Sequence, residues 1–135
     1  MSKSKFQIHE FDNGIYPIYL WVVYNGGMDD VEREFVLTDP DDSWDEHVFE
    51  CSDAVTISNL KLKSDPEKVG TAVWLSRRNI SSKIMAHEAV HVATNIFLAI
   101  GAQHQADNEE PYAYLVGWAT GCIDTVCKGK FTIEK

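Results

Sequence analysis

Ile84-Met85-Ala86-His87-Glu88-Ala89-Val90-His91-Val92-Ala93-Thr94-Asn95-Ile96-Phe97-Leu98-Ala99-Ile100 is an apolar run interrupted by His-Glu-x-x-His. On an α-helix, residues four apart lie about 40° apart around the axis and one turn along it. His87 and His91 can therefore offer two imidazole nitrogens to one point. A Zn²⁺ ion accepts neutral nitrogen donors at about 2.0–2.1 Å, and such a pair supplies them without backbone strain. Glu88 points into an adjacent sector, where it can reach water next to the ion but is not the third in-line ligand.

The flanks of this run define a helix. Ser81 or Ser82 provides an N-cap, and Gly101 suits the position after the last turn. Apolar residues cover nearly the whole circumference, so the helix is expected to be buried on all sides. Buried His-Glu-His needs partners, which favours metal ligation over a surface role. The competing reading is a buried histidine pair satisfied by backbone carbonyls.

Upstream, residues 1–80 read as a sheet-forming half. Residues 5–11 form a strand ending at Asp12-Asn13-Gly14, where Asn-Gly favours a tight reversal. Residues 15–24 are rich in β-branched and aromatic side chains, with Pro17 confining the start of that strand to an edge or bulge. Asn25-Gly26-Gly27 breaks the run. Residues 32–38 alternate charged and apolar residues as a third, half-exposed strand would. Residues 39–46 are a solvated acidic loop; an EF-hand would need a central Gly that is absent, and Pro40 interrupts its start. Residues 54–62 form a further strand, residues 63–68 a polar turn around Asp65-Pro66, and residues 69–75 the last strand.

Downstream, residues 102–108 form a polar connection. A second helix starts near Glu109-Glu110-Pro111, because Pro is tolerated in a first turn. It runs towards Cys127 and closes at Lys128-Gly129-Lys130, with residues 131–135 as a tail. The fold class expected is α+β: one domain over 1–135, with a mostly antiparallel twisted sheet followed by a two-helix half over 81–128.

Composition excludes several partners. Acidic residues outnumber basic ones 21 to 12, giving a net charge of −9. Such a chain repels phosphate backbones and anionic bilayers, so neither nucleic acid nor membrane is an expected partner. The first residues lack the apolar core of a secretory leader. Three cysteines cannot all pair internally. Free thiols in a reducing compartment are the simplest reading. Nothing in the sequence specifies an oligomeric state.

A catalytic zinc site needs three protein ligands and an open position. After His91, eighteen residues precede Glu110. This spacing resembles the gluzincin arrangement of the zincin metallopeptidases, in which a second helix brings a carboxylate to the metal. More narrowly, the helix and Asn108-Glu109-Glu110-Pro111-Tyr112-Ala113-Tyr114-Leu115-Val116-Gly117 are similar to small zincin-like proteins of tailed bacteriophages. The resemblance covers residues 81–123 and implies a minimal zincin-like domain. It also implies one Zn²⁺ per chain on His87, His91 and Glu110, with Glu88 as general base and a peptide or protein as substrate. Larger gluzincins place an Asp four residues beyond the ligand Glu; here that position is Tyr114, which could donate to a carboxylate or an oxyanion. Glu109 and His104 stay open as alternative third ligands, and His104 also as a donor to the reacting oxygen. Asp124 could orient a ligand histidine.

Two neighbouring families fit less well. A metzincin would need Gly at Thr94 and His at Phe97. A deformylase-like site would use an upstream Cys such as Cys51, but its glycine-rich elements are absent. The phage resemblance implies a bacterial host's cytoplasm, or the virion, as location. A catalytically weak or inactive zincin-like structural or interaction protein, with the metal only stabilising the fold, is the alternative function.

Overall fold

The computed structural model describes residues 6–129. It is α+β, with a five-stranded mixed sheet and four helices. The elements are β1 (Gln7–Asp12), β2 (Tyr19–Tyr24), α1 (Met28–Glu34), β3 (Phe35–Leu37), α2 (Glu46–Cys51), β4 (Ala54–Leu62), β5 (Asp65–Leu75), α3 (Ser82–Ile100) and α4 (Glu110–Cys127). Strand order is β1-β2-β5-β4-β3, and only the β2–β5 pair is parallel. Lys5, the expected start of the first strand, Lys130 at the expected close of the second helix, and the tail over residues 131–135 lie outside the described residues.

β2 and β5 occupy the middle of the sheet, and their sequences show why. Side chains alternate across a strand, and a strand covered on both faces reads as continuously apolar. In β2, Leu20 and Val22 enter one core while Trp21 and Val23 enter the other. In β5, Val73 and Leu75 face the first core, and Ala72 and Trp74 the second. The first core lies under α3 and α4, with Ala89, Val92, Ala93, Ile96, Leu115, Ala119, Ile123 and Val126. The second is smaller and is closed by Val31 of α1, Phe35 of β3 and Phe49 of α2. The Cys122 thiol belongs to the first core, and burial pushes it up to about 12.

Several expectations need correction. The third strand expected over residues 32–38 is α1 followed by the three-residue β3. Val31 is the one buried residue of α1, and Phe35, also buried, already belongs to β3. Asp45, expected in a loop, caps α2 by accepting from the His47 backbone N–H. The second strand begins at Tyr19, after an Asn13-centred loop in which Asn13 Oδ1 accepts from the Ile15 and Tyr16 N–H groups. Asp65-Pro66 belongs to β5 rather than to a turn.

The largest correction concerns α3. Its caps are as expected: Ser81 Oγ accepts from Ile84 N, and Gly101 adopts φ +75°. Its circumference is not covered, however. Met85, Ala89, Val92, Ala93, Ile96 and Phe97 are buried, whereas His87, Val90, His91, Thr94 and Leu98 are exposed. Apolar composition does not force burial when neighbouring elements reach only part of a helix. Here the sheet and α4 leave one stripe open.

Candidate metal centre

α3 sets His87 and His91 one turn apart on its open stripe, with Nε2 atoms 3.3 Å apart. Two nitrogens bound to one tetrahedral Zn²⁺ at ordinary bond lengths stand about 3.3–3.4 Å apart. The pair therefore fits two corners of such a site, although the same separation suits a direct hydrogen bond between neutral rings. The third corner is less defined. Among the described residues, no group of three or more His, Cys, Asp or Glu side chains is arranged to hold a metal ion.

Glu110 is the first residue of α4 and is exposed. Its end of α4 docks on the turn of α3 that carries His91. Tyr112 donates through its hydroxyl to the Val90 carbonyl at 3.3 Å and pairs with Thr94 Oγ1 at 2.9 Å. His104 stacks on Tyr112 with ring centroids 4.2 Å apart. Glu109, the N-cap residue, and His104 are both exposed. Tyr114 is 48% exposed on α4 and does not line the cleft described below. Asp124 pairs with Lys128 at 2.7 Å, nearly four turns along α4 from Glu110. Cys51 is an exposed thiol whose Sγ lies 3.7 Å from the His47 ring nitrogens.

Glu88 is the buried member of the motif. Its Oε1 accepts from Thr56 Oγ1 of β4 at 2.7 Å, and its Oε2 lies 3.9 Å from His87 Nε2. The carboxylate is thus oriented by the sheet, with one oxygen held and the other turned towards the histidines. Glu88 and His91 line a cleft of about 360 Å³ between α3, β4 and α2, together with Ala54, Thr56, Ser58 and Asn95. Thr56 and Asn95 were missed in the sequence reading, whereas Tyr112 was named there as part of the second helix. Asn95 carried a signal, because Glu88, His91 and Asn95 follow i, i+3, i+7 spacing on one helical stripe.

β4 gives this cleft its wall. Ala54, Val55, Thr56 and Ile57 pair with β5 on one side, while β3 covers only Leu60, Lys61 and Leu62 on the other. A register shift between Ile57 and Leu60, with Asn59 at φ +58°, separates the two halves. Among the described residues no strand pairs with the outer side of the first half.

No protein-family model matches this chain, and comparison with curated proteins and solved structures gives no significant match.

Proposed function

We propose that this chain is a zinc-dependent metallopeptidase of the zincin type, acting on peptide or protein substrates. The observation carrying the proposal is the Glu88 carboxylate, buried and aimed between a sheet hydroxyl and a histidine pair at ligand spacing, on the wall of an open cleft. A purely structural metal site has no use for such a carboxylate. The resemblance to small zincin-like phage proteins supports the same reading, with a bacterial host cell or virion as its setting.

His87 and His91 would hold the ion, with Glu110, the first residue of α4, as the proposed third ligand. Bound Zn²⁺ supplies Lewis acidity and water acidified to a pKa of about 7. Glu88 takes a proton from the attacking water at Oε2 and delivers it to the leaving amine. Thr56 keeps that oxygen pointed into the cleft by holding the other. Tyr114, which does not line the cleft, is the proposed donor to the developing oxyanion.

The peptide would bind by strand addition, which uses unpaired backbone groups of a sheet edge. In the zincin arrangement the strand directly before the motif helix, here residues 69–75, would play that part. These belong to β5, which is paired on both sides and offers no free edge. The role passes to Ala54, Val55, Thr56 and Ile57 of β4.

The open third corner favours a second reading: a weak or inactive zincin-like protein in which a metal only stabilises the fold. One experiment separates the two. Purified wild type should carry about one zinc per chain and cleave members of a peptide library; H87A and H91A should lose both. Glu88→Gln should retain zinc and lose cleavage. Cleavage unchanged in E88Q would refute the assigned chemistry, zinc without cleavage would favour the second reading, and a zinc-free preparation would defeat both.

A further inference from the structure

We propose that Asn95 is a specificity-determining residue that presents a fixed hydrogen-bond acceptor to an N–H donor side chain of the bound polypeptide. This deepens the peptidase reading and rests on it. The argument follows the direction of three hydrogen bonds. The Ile57 carbonyl can only accept, so Thr71 Oγ1, 2.8 Å away, donates to it. Its single proton being committed, Thr71 Oγ1 can only accept from Asn95, 3.2 Å away, which must therefore present Nδ2. The amide cannot turn over without setting two acceptors against each other.

Thr71 is 1% exposed, so no water replaces this arrangement. Asn95 lines the same cleft as Glu88 and His91, and Oδ1 accepts no hydrogen bond among the described residues. It is not a buried unpartnered atom either, so it stands open to the cleft.

Position along the helix sets which residue is read. Asn95 lies seven positions beyond Glu88, about 10 Å along the axis. An extended peptide on β4 advances about 3.3 Å per residue. Asn95 Oδ1 therefore meets a side chain about three residues from the bond that Glu88 serves. An acceptor with no competing donor favours Lys, Arg, Asn or Gln there and disfavours Asp and Glu.

The test uses the full chain loaded with zinc and a set of defined peptides. They differ only at that position: Lys, Arg, Asn, Gln, Leu or Glu. Cleavage is read as kcat and KM separately, and binding as fluorescence anisotropy with the same peptides on the E88Q protein. Wild type should prefer the N–H donors over Leu and Glu by roughly fivefold to tenfold, in KM and in binding. Asn95→Asp should narrow that preference to Lys and Arg. Thr71→Val, which leaves Asn95 in place but frees its amide to turn, should erase the discrimination between donor and acceptor side chains. A profile identical in wild type, N95D and T71V would overturn the inference. Absence of cleavage counts against the peptidase reading alone, because the binding arm still decides the role of Asn95. No binding preference at this position overturns it whatever the activity.

Discussion

The Glu88 side chain is only 10% exposed, and a polar group so placed needs hydrogen-bond partners to replace the water it loses. Thr56 supplies one from β4, a strand far from α3 in sequence. A hydrogen bond to a charged group contributes about 1.5–3 kcal/mol. Thr56→Val should therefore lower stability by about that amount, while Thr56→Ser keeps the hydroxyl and loses much less. Urea midpoints of the two variants check this, and equal midpoints would mean that Glu88 is not held by the strand. The same contact marks the limit of what the sequence could convey about the site. His87, Glu88 and His91 are adjacent on one helix, so their spacing alone places them together. Thr56 and Asn95 join them only because β4 lies beneath α3, which no local pattern encodes.

At the level of elements, β2 and β5 hold the sheet together, and at Gly70 they leave no room for a side chain. This glycine is buried opposite Tyr19, and a Cβ built there collides with the Tyr19 carbonyl oxygen. Backbone cannot step aside as a flexible side chain can, so Gly70→Ala should cost about 3 kcal/mol, the upper end of overpacking penalties. Chemical denaturation measures it; a change below 1 kcal/mol would mean that the strands separate easily here. Gly101→Ala serves as a milder comparison, because φ +75° strains a side chain that meets no neighbour. Legibility varied among elements for related reasons. α3 and α4 are long, capped by Ser81, Gly101 and Pro111, and so declare themselves. The short α1 contributes a single buried residue, Val31, and its place is decided by the core it shares with Trp21 and Trp74. A seven-residue helix of that kind leaves too little periodicity to outweigh apparent strand alternation.

Across the whole molecule, two cores on opposite faces of one sheet make stability a shared property, and pH tests how the framework is tied together. His9 lies on β1 with Nε2 3.0 Å from Gln7 Oε1. Burial, and then the positive charge of Arg78, hold its pKa below the usual 6.5. The unfolded chain therefore binds a proton at a pH where the folded chain does not. Stability from this histidine is complete above pH 6.5, falls as pH drops below that value, and is lost once pH passes the folded pKa. Carboxylates throughout an acidic chain also titrate on the way down, so the absolute curve mixes many groups. Comparing wild type with His9→Gln cancels them, since both share every other titrating side chain. Urea midpoints taken from pH 8 to pH 5 should fall more steeply for wild type than for H9Q, with the two curves diverging just below pH 6.5. Parallel curves would mean that His9 is as free to take a proton in the folded sheet as in the open chain. That outcome would mean that neither burial nor the Arg78 charge disfavours the protonated ring as the structure implies.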